Sequence, residues 1–484
     1  MATVGILGAG LSGVLMGIRL KQAGINDFSI YEKQTDVGGT WLRNTYPGLH
    51  CDVPSHLYSY SFEPNPDWSM TYAGQAEIQA YLRRCAERHD LIDHIRFGTC
   101  AESARFDEDT ATWHLELADG TACQHKVLVA ATGGLTEPRL PRIEGLHTFA
   151  GPTWHSGSWR HDVPLQGLRV AVIGSAASAV QVLPEVAKLA AEVFVFSRTP
   201  NWVTPRNNVL YSHEQKQLLR SEVEQRKVWL QQYRDSMLWY GAFTRDESAI
   251  RRLRELCMAN MRSAISDPDL IAALTPSFEP GCKRILVSDD YYPALNQGNV
   301  HLLAHGVSAL TPSGVVATDG SETAVDIVIF CTGYRLGGRA DGRPALDVVG
   351  RGGQELRRVL AQRPEAYRGV AIPGFPNYFT VCGVNGSVAY GPVFLSAELE
   401  TEYITTLIRR LLDENLGTLE VKANVTRLYN EQIQAELQNM SWTGNCSNFY
   451  RDATGRIVSF FPGTVGRMRR ELRNADPEDF MALP

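Results

Sequence analysis

The residues of this chain best placed by type and spacing to do chemistry lie in and just after two glycine-rich turns. Gly8-Ala9-Gly10-Leu11-Ser12-Gly13 follows the apolar run Val4-Gly5-Ile6-Leu7, and Gly174-Ser175-Ala176-Ala177-Ser178-Ala179 follows Val170-Ala171-Val172-Ile173. The same number of positions beyond the first glycine of each turn stand residues of opposite charge, Glu32 and Arg198. In a strand–turn–helix–strand nucleotide unit this position ends the second strand and faces the adenosine ribose. A carboxylate there accepts hydrogen bonds from ribose hydroxyls and repels phosphate. An arginine pairs with a 2′-phosphate, which carries about −1.5 to −2 charge near pH 7. Thr199 offers the same phosphate a hydroxyl. The chain therefore reads as holding two different dinucleotides, one with a free ribose and one phosphorylated: FAD and NADPH.

Particular elements must position these residues. Residues 2–33 read as strand, turn, helix over 11–23 and strand over 28–32; residues 168–198 repeat the order, with a helix over 178–189 and a strand over 193–196. Pyrophosphate then sits on the N-terminus of each helix. Two departures mark the second unit: Ala176 replaces the middle glycine of the fingerprint, and Pro184 predicts a kink or an early helix end. Each unit is answered later by a buried strand running into small residues, Lys126 to Gly134 and Asp326 to Tyr334, and Thr332-Gly333 lets backbone approach a cofactor. In Val37-Gly38-Gly39-Thr40-Trp41 the Gly-Gly pair suits backbone lying along a flavin, with Gly39 and Thr40 read as cofactor-binding and Trp41 as shielding the ring.

The fold class is α/β: two Rossmann-like domains, the second inserted in the first, with a helical insertion. The expected boundaries are 1–140 and 336–484 for FAD, 141–205 and 277–335 for NADPH, and 206–276 for the helical insertion, with linkers near 138–141 and 334–338. Helices over 213–238 and 246–265 make that insertion a lid or substrate wall, and a helix over 395–416 packs the C-terminal part onto the first domain.

Composition narrows the class further. With 484 residues, 44% hydrophobic and 21% charged, the chain reads as a globular enzyme, and a net charge of −6 without a basic patch excludes nucleic acid as a partner. The longest apolar runs, such as 325–331, are strand-length, so no membrane span is expected. No signal segment separates Met1 from the first strand, and nine cysteines without a Cys-x-x-Cys pair read as reduced thiols in a cytoplasmic protein. Histidines and cysteines show no metal-ligand spacing, and no pattern specifies an oligomeric state.

Between the two turns lies Phe149-Ala150-Gly151-Pro152-Thr153-Trp154-His155-Ser156-Gly157-Ser158-Trp159. Its Phe149, Gly151, His155 and Trp159 resemble the fingerprint of Baeyer–Villiger monooxygenases, flavoproteins with separate FAD and NADPH domains. Trp159 tilts the resemblance away from N- or S-oxygenating flavin monooxygenases, which carry a smaller aromatic there; Arg160 departs from the Pro or Asp often found next. Read from the residues, His155 is a hydrogen-bonded hinge residue, and the resemblance implies that it couples cofactor binding to domain motion. Two further segments are similar to the family. Tyr46-Pro47-Gly48-Leu49-His50-Cys51-Asp52-Val53-Pro54-Ser55 matches its flavin-side loop, and Gly281-Cys282-Lys283-Arg284 running into Asp290-Tyr291-Tyr292 matches the segment with its catalytic arginine. Read alone, Lys283-Arg284 is a surface pair. The resemblance makes Arg284 catalytic, Asp52 its orienting partner beside the flavin, and Lys283 a contact to the 2′-phosphate. It extends through the tail, 442–450 and Phe461-Pro462-Gly463.

The reaction so implied uses NADPH, O2 and a small-molecule ketone. A C4a-peroxyflavin attacks the carbonyl carbon, Arg284 stabilises the adduct, and an ester or lactone leaves. Water must be kept out, since it diverts the oxygen to H2O2; the insertion and Pro376-Asn377-Tyr378-Phe379 are expected to close the site. Trp68, Trp239 and Tyr240 are walls or core without a catalytic role. The alternative is an N- or S-oxygenating flavin monooxygenase. A two-dinucleotide reductase ranks well behind, since such enzymes usually carry a redox cysteine pair near the flavin and this sequence has none.

Overall fold

The computed structural model describes residues 2–335, 346–452 and 454–483. Two parallel five-stranded sheets organise it. The first has the order Tyr378–Thr380, Val127–Ala130, Val4–Leu7, Phe28–Tyr31, Ile95–Arg96; the second has Val300–Leu303, Glu192–Phe196, Arg169–Ile173, Ile327–Phe330, Thr153–His155. Val4–Leu7, Val127–Ala130 and Ile327–Phe330 are buried at every position, as parallel strands covered on both faces must be. All strands of the second sheet fall between Ala130 and Tyr378 in the chain, so the second Rossmann-like unit is inserted in the first. The two connections lie side by side: Glu137–Pro138 pairs antiparallel with Tyr334–Arg335. Residues 336–338 of the expected second linker lie outside the described residues.

Helix Leu11–Gln22 follows the first glycine turn and packs against the long helix Val393–Asp413. Helix Ala177–Ala187 follows the second, runs through Pro184 and ends soon after it. The insertion holds His213–Leu218, Glu222–Phe243, Glu247–Ala264 and Pro268–Leu274, so the helix expected over 213–238 is two. Asp246 starts the third by accepting from the Ser248 and Ala249 amides.

Several features depart from expectation. Antiparallel strands Ala101–Asp107, Thr112–Leu117 and Ala122–His125 form a meander not read from the sequence, as do Val307–Leu310, Gly314–Ala317 and Glu322–Ala324. Segment 376–379 is no closing loop. Tyr378–Thr380 is a strand of the first sheet, and the fully buried Asn377 bonds the Gly417 carbonyl and the Leu419 amide. Trp68 is wholly buried against Tyr81, as core. The expectation of reduced thiols is also corrected: Cys282 and Cys446, separated by 164 positions, form a disulfide because the fold brings two distant segments together. The other seven cysteines are free. Among the described residues, no helix is long and apolar enough to cross a membrane.

Candidate active site

The first turn is a cradle that added atoms would fill. A Cβ on Gly13 would lie 1.8 Å from the Gly8 carbonyl oxygen, and one on Gly39 2.9 Å from the Gly10 Cα. The two glycine segments are therefore brought into contact, with the Gly38 amide on the Ala9 carbonyl at 3.0 Å. Helix Leu11–Gln22 has no side-chain cap at Gly10 and no acid in its first turn, which leaves its N-terminal amides for an anion. Glu32 is 4% exposed and accepts from the Ala9 amide at 2.7 Å and the Gln34 amide at 2.8 Å. Thr40 opens the short helix Thr40–Arg43, and the Trp41 indole donates to the Tyr58 hydroxyl at 3.0 Å. This chemistry fits the ribose and pyrophosphate of a dinucleotide.

The second turn is more open. Ala176 is exposed in ordinary extended backbone (φ −90°), so the missing glycine costs no strain, and helix Ala177–Ala187 also lacks a side-chain cap. Ser175 donates to the Thr199 carbonyl at 2.7 Å, joining the turn to the end of the neighbouring strand. Ser178 stands in the first turn of that helix, beside the Tyr46 phenol. Arg198 is exposed, and Lys283 lies 4.7 Å over the Phe278 ring. Burial lowers the Lys283 pKa, and the nearby Arg198 charge lowers it further. Among the described residues neither cation has a carboxylate partner, so two like charges face one space, which suits a phosphate.

Asp52 and Arg284, 232 positions apart, are brought together: the Arg284 Nε donates to the Asp52 Oδ2 at 2.7 Å. Both side chains are partly accessible, at 41% for Arg284 and 29% for Asp52. The Asp52 charge raises the Arg284 pKa against the opposing effect of burial. Burial in turn resists ionisation of Asp52, but the Arg284 charge and hydrogen bond override it and hold the carboxyl below its ordinary value. Both Nη nitrogens of Arg284 lack a hydrogen-bond partner among the described residues and are not buried. The loop bearing Asp52 is tied to both units. Cys51 donates to the Ala73 carbonyl at 3.0 Å, while Gln181, on the second unit's helix, donates to the His50 carbonyl at 2.8 Å.

The linker motif adjoins the paired connections. His155, 4% exposed, ends the edge strand of the second sheet opposite Phe330, and its Nδ1 accepts from the Gly157 amide at 3.0 Å. Nδ1 is thereby the acceptor and the neutral ring carries its proton on Nε2. Burial lowers its pKa to about 4, with the Gly333 carbonyl working the other way. Gly333 also accepts from the Arg139 amide at 2.9 Å, and Thr332 donates to the Arg139 carbonyl, so the two chain crossings meet here. Trp159 packs edge-on to Trp154, Phe149 lies in the core over the second sheet, and Gly151 packs against the Asp326 carbonyl.

Known proteins resemble this chain in sequence and fold. Residues 1–226 match the flavin-binding monooxygenase-like family. A Baeyer-Villiger monooxygenase of Streptomyces coelicolor is 38% identical, covering 99% of this chain and 92% of its own. The chain belongs to the Baeyer–Villiger monooxygenases. A second member, from Pseudomonas aeruginosa, is 37% identical over 98% of this chain and 90% of its own. The crystal structure of OTEMO in complex with FAD and NADP superposes with a TM-score of 0.89 at 26% identity, covering 99% of both chains. These likenesses favour Baeyer–Villiger chemistry over N- or S-oxygenation.

Three residues around the Asp52–Arg284 pair were not singled out from the sequence. The Tyr58 hydroxyl accepts from Trp41 and makes no other hydrogen bond among the described residues; burial drives its pKa well up. Arg206, 7% exposed with its Nε unpartnered, adds to the positive field that keeps Asp52 ionised. Tyr450, pushed up to about 12 by burial, lies against Arg284. The Tyr58-Ser59-Tyr60 alternation was a visible signal for the first; nothing local marks Arg206 or Tyr450.

Proposed function

We propose that this chain holds FAD on Gly8, Gly10, Gly13, Glu32, Gly39, Thr40, Trp41 and Asp52, and NADPH on Gly174, Ser175, Ala176, Ser178, Arg198, Thr199, Lys283, Thr332 and Gly333. With them it inserts one oxygen atom of O2 beside the carbonyl of a small-molecule ketone, giving an ester or lactone. Residues 1–140 and 336–484 form the FAD-binding unit, 141–205 and 277–335 the NADPH-binding unit, and 206–276 the helical insertion. The observation that carries this reading is the Arg284–Asp52 pair, with the Arg284 Nη groups left unbonded among the described residues.

When bound, NADPH supplies the hydride and reduced FAD activates O2. Asp52 fixes the Arg284 guanidinium through Nε, so its free Nη groups keep one orientation. Arg284 cannot give up its proton at working pH, so it offers a permanent positive charge to oxygen that becomes negative as the carbonyl is attacked. A charge-assisted hydrogen bond contributes about 1.5–3 kcal/mol, and more where water is excluded. Trp41 and Tyr58 present a continuous aromatic wall on the flavin side, their rings 5.6 Å apart edge to face. His155 and the paired connections hold the second unit at a defined approach to the first.

The test is reduction of the purified yellow protein with NADPH in the absence of air, followed by O2 and a panel of ketones, sulfides and amines. Esters or lactones from ketones are expected. Oxygenated sulfides or amines with untouched ketones would overturn the reading and leave Arg284 without its role.

A further inference from the structure

Cys282 stands two residues before Arg284, and the disulfide to Cys446 ties that segment to the C-terminal tail. We propose that this disulfide is a reversible redox latch that holds Arg284 in register, closed by peroxide and opened by dithiols. The inference rests on the proposed function, because Arg284 must be the group whose position matters.

Besides the bond itself, the junction is held by the apolar cluster around Cys282 and Cys446, by Tyr450 against Arg284 and by two hydrogen bonds. Across the same junction Asn448 donates to the Cys282 carbonyl at 3.2 Å, and Ser441 donates to the Gly281 carbonyl at 2.9 Å. These are neutral bonds to backbone, and each contributes modestly. The bond closes a loop of 164 positions that contains the second half of the inserted unit, so it fixes the tail of the first unit to the start of the catalytic segment. Opening it frees Arg284 to shift relative to Asp52, and a 1 Å misplacement of a catalytic group can cost about a hundredfold in rate.

Chemistry has access from one side. Cys282 is 2% exposed, but Cys446 borders an open cavity of about 560 Å³ lined by Asn445, Ser447, Asn448 and Arg451. The Arg451 guanidinium donates to the Cys446 carbonyl at 2.5 Å and has no carboxylate partner among the described residues. The Asn448 amide donates to the Cys446 sulfur at 3.5 Å, and a hydrogen bond to the sulfur favours its thiolate once the bond is open. Cys446 is thus the thiol that peroxide reaches first. It becomes a sulfenic acid with loss of water, and the Cys282 thiol displaces the second water, so two thiols and one H2O2 give one disulfide and two waters. A dithiol reverses this by exchange, its own two sulfurs becoming the disulfide. Cys257 shares the same apolar cluster but is wholly buried, its thiol pushed up to about 12, and so takes no part near neutral pH. Since an uncoupled monooxygenase releases H2O2, the leak product of a loosened site is the oxidant that closes it.

The experiment uses the FAD-loaded enzyme, treated with H2O2 or with dithiothreitol and desalted. Three quantities are followed: the Cys282–Cys446 bridged peptide by mass, protease cleavage within 440–452, and the share of consumed NADPH that appears as H2O2 rather than ester. The expected result is a bridged peptide only in the oxidised protein. On reduction, tail cleavage becomes faster and the H2O2 share rises about tenfold, and both revert with peroxide. Cys446→Ser should sit in the high-leak state and ignore both reagents, while Cys257→Ser should behave as the parent. Equal cleavage and equal H2O2 share in the two redox states would overturn the latch, as would absence of the bridged peptide after oxidation. If no ketone yields ester in either state, the proposed function fails; the latch is then judged by cleavage and by H2O2 release alone.

Discussion

The two dinucleotide turns share a topology and differ in how firmly they are built. In the first, Gly13 packs so closely on Gly8 that no side-chain atom fits, Gly39 closes on Gly10, and Glu32 is buried on two backbone amides. In the second, Ala176, Ala177 and Arg198 are exposed, and among the described residues the Arg198 and Lys283 charges have no carboxylate partner. A preformed, desolvated cradle suits a group that stays; an open turn with unspent positive charge suits one that arrives, is recognised by its phosphate and leaves. The difference matches a resident FAD and an exchanging NADPH.

That contrast can be broken at its strongest point first. Gly13→Ala places a Cβ against the Gly8 carbonyl, so the helix N-terminus must move, and the purified variant should carry almost no flavin. A yellow variant with a normal flavin-to-protein ratio would mean the first turn is not the cradle. The second turn should respond in affinity instead. Arg198→Ala or Lys283→Ala removes one charge-assisted bond to the 2′-phosphate, worth about 1.5–3 kcal/mol, so the KM for NADPH should rise about 10- to 100-fold with flavin content unchanged. The KM for NADH should barely move, which collapses the preference between the two. Smaller still is Ala176→Gly, since Ala176 is unstrained: NADPH affinity should change less than about threefold.

The smallest effect concerns the junction between the units. Burial lowers both His155 and His56 from 6.5 to about 4. The unfolded chain therefore takes up protons through pH 6.5 while the folded one does not until near 4, so stability that is full above 6.5 is lost as pH falls through this window. The Tm should drop over that range, and His155→Gln should make the drop shallower across the whole of it, the remainder coming from His56. An unchanged slope would mean His155 is solvated in solution.

Sequence carried some of this architecture and not the rest, for physical reasons. The glycine turns were legible because steric exclusion at Gly8 and Gly13 leaves a residue-type mark within six positions. Glu32 and Arg198 were legible because strand and helix lengths fix their offset. Asp52 and Arg284 meet across 232 positions, and only the family resemblance joined them. Cys282–Cys446 had no such help, because local spacing cannot see a bond across 164 positions. Segment 376–379 reads as a loop from Pro376-Asn377, yet tertiary pairing with Val127–Ala130 makes the following residues a strand. Arg206 carries no local signal at all. Its meaning comes from the loop around it, where Asp289 accepts from the Arg206 and Asn207 amides at 2.8 and 3.0 Å.

The most direct measurement of the central claim is a single turnover of Arg284→Ala beside the parent enzyme, each loaded with FAD, reduced by NADPH without air, then mixed with O2 and a ketone that the parent converts. Flavin content should be normal in the variant and NADPH reduction no slower than about threefold, since neither turn contains Arg284, while ester yield falls by about a hundred- to a thousandfold with H2O2 in its place. Ester at a near-parental yield would contradict the assignment of the stabilising charge to Arg284.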